Sequence, residues 1–254
     1  METSPWSLEP SWEGPLLVAI ATALYAVLVL RHGASRRRIA AFAVAQVLLL
    51  AVLVSPVATI ALHYLLSAHL LQNVAAAEWA PALAVLGIPP AAAAALGRMR
   101  VFCAVTRPFV ALPVWLAAYG LWHVPLFYEA ALRNEGLLFL EHGSYVAAGV
   151  LLWWPVLQDE PHRLSAGARS AYLFAAFVLA SPLGLMLALL PTPLYGFYEA
   201  APRLWGLSPL TDQQLAGVVM AVSEAVVFFA AFAVYFVRFM AEEEAGYSPR
   251  DARR

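Results

Sequence analysis

The sequence predicts an all-α protein, a polytopic membrane bundle of seven transmembrane helices. Of its 254 residues, 63% are hydrophobic and only 12% are charged, which is far from the composition of soluble domains. Apolar stretches of about 20 residues, the length that spans a bilayer, recur along the chain with short segments between them. Residues 1–241 are therefore predicted to form one transmembrane domain, and residues 242–254 a short charged cytoplasmic tail.

The distribution of arginine predicts the orientation of this bundle. All fifteen basic residues are arginine, and thirteen of them lie in segments predicted on one side of the membrane. Only Arg133 and Arg203 lie in segments predicted on the opposite side. Because positive residues favour cytoplasmic loops, the N-terminus is expected outside and the C-terminus in the cytoplasm. The other thirteen arginines lie in residues 31–38, 98–107, 163–169 and 238–254.

The first fourteen residues carry Glu2, Glu9 and Glu13 but no basic residue. A secretory signal peptide begins with a positive region, so this segment is expected to stay uncleaved and to be translocated.

Each predicted helix follows from an apolar run and its ends. Pro81 is expected to kink the third helix, and the five alanines at 91–95 are expected to form a helix end because Pro90 and Gly97 flank them. Trp122 and His123 end the fourth helix at the outer interface, a depth that tryptophan favours. The seven predicted spans are residues 15–31, 39–55, 60–89, 108–123, 137–154, 170–190 and 213–238.

Residues 61–80 form an apolar stretch with an unusual number of polar side chains. A charged or strongly polar side chain at bilayer depth costs roughly 2.5–3.5 kcal/mol and usually marks a site facing the bundle interior. On an ideal helix His69, Gln72 and Asn73 share one face, whereas His63 and Glu78 point in other directions.

Three of the six histidines are candidates for a metal site. His69, His123 and His142 are predicted in the outer half of the bundle, and imidazole is the commonest neutral metal ligand. Asp212, at the outer end of the seventh helix, is expected to be an N-cap, a ligand or a partner that orients a histidine. The alternative is that His69 only links two helices by a hydrogen bond.

The other histidines carry no predicted role. His32 and His162 fall among arginines in cytoplasmic loops, where polar residues are ordinary. His63 is expected at the membrane interface. Haem bound by two facing histidines stays an alternative.

A second set of polar residues points to the middle of the bilayer. Gln213, Gly217, Met220 and Glu224 lie on one face of the seventh helix, which is expected to point inward. Glu224 and Glu78 are predicted near the same depth. A pair of carboxyls there could bind a proton or a cation, as in a transporter, or hold two helices together as neutral groups.

The sequence does not favour an enzyme. Cys103 is the only cysteine, so no Cys-x-x-Cys motif exists. The serine and histidine residues form neither a Gly-x-Ser-x-Gly elbow nor a His-Glu-x-x-His motif. No nucleic acid partner is expected.

Six segments from residue 55 onward carry a resemblance to a known family. They are SPVATIALHYLLSAHLLQN, APALAVLGIPP, WHVPLFYEAAL, EHGSYVAAGVLLWWPV, PTPLYGFYEAAP and LSPLTDQQLAGVVM. In this order they resemble the CtaG family of cytochrome c oxidase assembly factors. The resemblance implies a polytopic protein of the bacterial cytoplasmic membrane that handles copper for the respiratory chain and contacts a haem–copper oxidase subunit. It also implies that His69, His123, His142 and Asp212 belong to a polar set near the outer face.

The chain departs from the family pattern at the residues suited to copper. Where the family has His-Met-x-Gln-His, this chain has His69, Leu70, Leu71, Gln72 and Asn73, and the loss of methionine removes a soft ligand for Cu(I). Leu138 stands where the family commonly has another histidine, and Ala221 follows Met220 in place of tryptophan.

The expected function is a non-enzymatic assembly factor and metallochaperone that binds a copper ion or positions an oxidase subunit. The alternatives are a metal-free scaffold and a transporter that uses Glu78 and Glu224.

Overall fold

The computed structural model describes residues 4–246, and all regular secondary structure in this range is helical. A π-helical turn, Ala75–Trp79, lies between α4 and α5. The helices are α1 (Glu13–His32), α2 (Arg36–Leu53), α3 (Pro56–His63), α4 (Leu66–Val74), α5 (Ala80–Gly87), α6 (Pro90–Gly97), α7 (Arg100–Val105), α8 (Pro108–Trp122), α9 (Pro125–Leu132), α10 (Glu135–Leu157), α11 (Ala166–Leu189), α12 (Gly196–Ala200) and α13 (Pro209–Gly246).

The helices confirm a multi-pass membrane protein. Within residues 4–246, α1, α10, α11 and α13 are each long and apolar enough to cross a bilayer, and three bent helix pairs bring the number to as many as seven. The bends are 46° between α2 and α3, 103° between α5 and α6, and 71° between α8 and α9. Seven spans and an outer N-terminus remain predictions. Residues 247–254 of the predicted tail lie outside the described residues.

Residues 61–80 do not form one regular helix, although the predicted helix faces require one. α3 ends at His63, Leu65 is extended (φ −128°, ψ 125°), and α4 begins at Leu66. The π-helical turn, with its hydrogen bonds between residues five apart, then shifts the angular positions of the side chains around the helix axis. It precedes Pro81, whose ring clashes with the carbonyl four residues earlier in a regular helix. The ideal-helix angles between His69 and either His63 or Glu78 were therefore wrong.

The helix end expected at 91–95 is a short helix of its own. The five alanines form the body of α6, which is bent by 103° away from the helix before it. Pro89 and Pro90 start this helix, and proline at the first helical position is favoured because its missing N–H would have no partner there.

Two close helix contacts hold the interior together. A Cβ on Gly217 of α13 would lie 2.5 Å from the backbone oxygen of Gly184 on α11, so these helices meet through small residues. A Cβ on Gly149 of α10 would lie 2.2 Å from the backbone oxygen of Ala77 in the π-helical turn. These contacts fix α13 against α11, and α10 against the π-helical turn that follows the helix of His69.

The predicted inward face of the last helix is confirmed. Gln213, Met220 and Glu224 are each at most 1% exposed, and Gly217 is buried with them. Gln213 fastens the preceding loop, since its side chain accepts from Leu194 N at 2.6 Å and donates to the Thr192 oxygen at 3.1 Å.

Candidate histidine site

His69, His123 and His142 are brought together from α4, the end of α8 and α10. All three are buried, with at most 4% of the residue exposed. The ring centroids of His69 and His142 lie 6.2 Å apart, and the ring of Tyr128 lies 5.0 Å from His69 and 6.2 Å from His123. The fold thus places His69 beside His142, and Tyr128 of α9 beside both His69 and His123.

The hydrogen bonds of His69 define its tautomer. Tyr198 of α12 donates its hydroxyl proton to the Ala61 backbone oxygen at 2.7 Å, and His69 Nδ1 lies 2.8 Å from the same hydroxyl oxygen. Burial raises the pKa of Tyr198, so the phenol keeps its single proton for Ala61. His69 Nδ1 must therefore be the donor, and in the neutral ring Nε2 carries the lone pair.

His123 and His142 are held in the same way. His123 Nδ1 lies 2.7 Å from the backbone oxygen of Tyr119, and because a carbonyl only accepts, Nδ1 carries the proton. His142 Nδ1 lies 3.1 Å from each carboxylate oxygen of Glu13. Each imidazole is thus fixed through Nδ1, as metal-binding histidines commonly are.

The opposite nitrogen of each ring has no partner. Nε2 of His69, His123 and His142 is buried and makes no hydrogen bond to any described residue. Around them are further buried polar atoms without a partner, which are Tyr128 OH, Tyr145 OH, Glu141 Oε2 and Asn73 Oδ1. Buried polar groups normally have partners, so a cluster of atoms without one is unusual, and imidazole nitrogen is a ligand type that copper accepts.

The arrangement does not by itself complete a metal centre. Within residues 4–246, no three histidine, cysteine, aspartate or glutamate side chains are placed so that they could hold one metal ion. His69 and His142 are neighbours, whereas Tyr128 lies between them and His123. The donor types fit a metal, but the described positions bring only two of the three imidazoles next to each other.

Asp212 has a different position from the three histidines. Its Oδ2 accepts from Leu66 N at 2.7 Å, and its Oδ1 accepts from Ser67 N at 3.1 Å and from Ser67 Oγ at 2.6 Å. These are the free N–H groups at the start of α4, which nothing else can satisfy inside an apolar bundle. Asp212 therefore caps the helix that carries His69, while Ser208 accepts from Thr211 N at the start of α13.

The polar neighbours of His69 serve separate roles. Gln72 donates to the Val52 oxygen at 2.8 Å and so satisfies the end of α2. Asn73 donates to Glu141 Oε1 at 3.3 Å. Only Asn73 belongs to the histidine site, although both residues share the predicted face of α4.

Sequence reasoning missed four members of the site, Glu13, Tyr128, Glu141 and Tyr198. Glu141 had a usable signal, since it is a carboxyl inside an apolar helix next to His142. No local signal marks the other three. Glu13 precedes the first span, and the two tyrosines lie in short segments whose docking only the fold determines.

Glu78 and Glu224 form a second buried group. Both are 0% exposed, and none of their four carboxyl oxygens has a hydrogen-bond partner among the described residues. They lie near enough to interact electrostatically, where α13 packs against the π-helical turn.

The remaining histidines lie apart from these groups. His63, which is partly exposed, pairs with Glu9 at 3.1 Å, as expected of an interfacial residue. His162 is hydrogen-bonded to the backbone oxygen of Cys103 at 2.7 Å.

Comparison with known proteins identified a family that covers most of the chain. The family described as cytochrome c oxidase caa3 assembly factor (Caa3_CtaG) matches residues 23–242, which is most of the chain. No curated protein and no solved structure matches the chain.

Proposed function

Because the chain belongs to the family of cytochrome c oxidase caa3 assembly factors, we propose that it holds or relays copper for an oxidase subunit at the outer face of the bacterial cytoplasmic membrane. The observation that carries this proposal is the set of three buried imidazoles with Nδ1 engaged and Nε2 free. The family role is assembly, and the proposed activity is accordingly binding and transfer of an ion without a catalysed reaction.

In this proposal copper is cargo, and His69, His123 and His142 supply its nitrogen ligands. His69 and His142 are the adjacent pair, and His123 approaches from the other side of Tyr128. Asp212 supports the site indirectly by capping α4. In a neutral ring whose proton is on Nδ1, the Nε2 lone pair can bind a metal without first losing a proton.

Copper binding by the purified protein tests the proposal. We expect about one copper ion per chain, and we expect the double variant His69→Ala/His142→Ala to bind none. The matched control is His32→Ala/His63→Ala, which removes two partly exposed histidines outside the site and should leave the stoichiometry unchanged. Equal copper content in both double variants and in the unmodified protein would exclude these histidines as ligands.

A metal-free scaffold of the same fold is the second candidate. It is favoured by the lack, within residues 4–246, of three side chains arranged to hold a metal ion. In that case the buried polar atoms would order the helices, and the protein would act by contacting an oxidase subunit. Co-purification with such a subunit from cells, together with absence of copper from the purified complex, would support this candidate over the first.

The third candidate is a small-solute, proton or cation transporter built around Glu78 and Glu224. It is favoured by two fully buried carboxyls without hydrogen-bond partners, since ionisable groups inside a membrane commonly mark ion pathways. Flux into proteoliposomes that disappears in Glu224→Gln would support it. Flux no greater than in protein-free liposomes would exclude it.

A further inference from the structure

Glu13 is a buried carboxylate that reaches the histidine site from outside the family-matched residues. It is the first residue of α1, it is 0% exposed, and it lies before the matched range 23–242. Both of its oxygens lie 3.1 Å from His142 Nδ1, so one N–H points symmetrically at the carboxylate. The other ring nitrogen, His142 Nε2, has no hydrogen-bond partner among the described residues.

The backbone around Glu13 is fixed by close packing. A Cβ on the next residue, Gly14, would lie 2.8 Å from the backbone oxygen of Leu53, so the first turn of α1 rests directly on the end of α2. Upstream, Glu9 N donates to the Val54 oxygen at 2.9 Å. The backbone that carries Glu13 is therefore held against the end of α2 by contacts that do not involve His142.

We propose that Glu13 is a positioning residue for His142, and that the N-terminal segment thereby completes the site of the proposed function. A carboxylate that accepts from Nδ1 fixes the tautomer in which Nε2 is free, orients the ring and raises its basicity as a ligand. The helix start adds to this, because the positive end of α1 stabilises the carboxylate. With Nδ1 bonded to Glu13, the His142 ring presents Nε2 to the site, and the ligand that Nε2 would bind is a cation.

The experiment combines nitrogen NMR of histidine-labelled, metal-free protein with a copper competition titration. In Glu13→Leu, which has no acceptor, we expect His142 to lose its single tautomer and copper affinity to fall about 10–100-fold. In Glu13→Gln, whose amide oxygen still accepts, the tautomer should persist while affinity falls by a smaller factor. Glu9→Leu is the matched control, because Glu9 lies in the same segment but pairs with the partly exposed His63, and it should change neither reading.

The outcomes separate this inference from the proposed function, on which it rests. An unmodified protein that binds no copper defeats the proposed function, and the tautomer of His142 in Glu13→Leu then decides the role of Glu13 alone. An unchanged tautomer in that variant overturns the inference. If Glu13→Leu does not fold, Glu13→Gln decides, and copper affinity equal to that of the unmodified protein overturns the positioning role.

Discussion

Replacement of Asp212 by alanine tests whether the helix break before His69 depends on a side chain from α13. The carboxylate accepts from Leu66 N, Ser67 N and Ser67 Oγ at 2.6–3.1 Å, and Asp212 is 1% exposed. Alanine leaves two backbone N–H groups at the start of α4 without an acceptor. A buried donor that loses its partner costs about 1–3 kcal/mol, so the two together should lower the free energy of unfolding by about 2–6 kcal/mol.

Ser67→Ala provides the internal calibration for this prediction. It removes the hydroxyl donor but leaves both backbone N–H groups bonded to the carboxylate, so its cost should be only about 1 kcal/mol. The control is Glu199→Ala, since Glu199 is exposed on the short helix α12 and surface changes stay within about 0.5 kcal/mol. Unfolding in mixed detergent micelles, followed by circular dichroism, measures all three. A loss in Asp212→Ala no larger than in Glu199→Ala would refute the capping role.

Three further changes test the packing and the histidine site. Gly149→Ala places a Cβ 2.2 Å from a backbone oxygen of the π-helical turn and should cost at least about 1–3 kcal/mol of unfolding free energy, whereas Gly143→Ala on the same helix meets nothing within 4 Å and should cost little. Gly14→Ala should displace the start of α1 and weaken copper binding in a competition titration; unchanged affinity would mean that this contact tolerates the methyl group. Tyr198→Phe removes the acceptor for His69 Nδ1 and should lower copper affinity by about tenfold, and an unaltered histidine nitrogen spectrum would contradict that assignment.

The membrane architecture could be predicted from the sequence because lipid requires long apolar helices with satisfied backbone groups. The predicted ends at 108–123, 137–154 and 170–190 agree with α8, α10 and α11 to within a few residues. The third span could not be predicted in detail. Its break at Leu65 is stabilised by Asp212, which is 147 residues away in the chain, so no local pattern indicates it.

The histidine site was also predictable only in part from the sequence. The sequence placed His69, His123 and His142 in the outer half of the bundle as candidates for one site, and the structure buries all three. The position of Tyr128 between them was not accessible to sequence reasoning, nor was the pairing of Glu13 with His142, because these contacts join segments far apart in the chain. Local periodicity gives the face of a helix, but not the element that packs against it.

The sequence by itself determined the all-helical membrane class, the resemblance to an assembly-factor family that comparison then confirmed, and the polar residues that lipid could not accommodate. The tertiary structure alone decided what those residues contact. It assigned Asp212 to the start of α4, gave each imidazole an Nδ1 partner, and left Nε2 free. The physical reason is that polarity within a bilayer is a property of each residue, whereas hydrogen-bond satisfaction is a property of pairs, which only the packed bundle specifies.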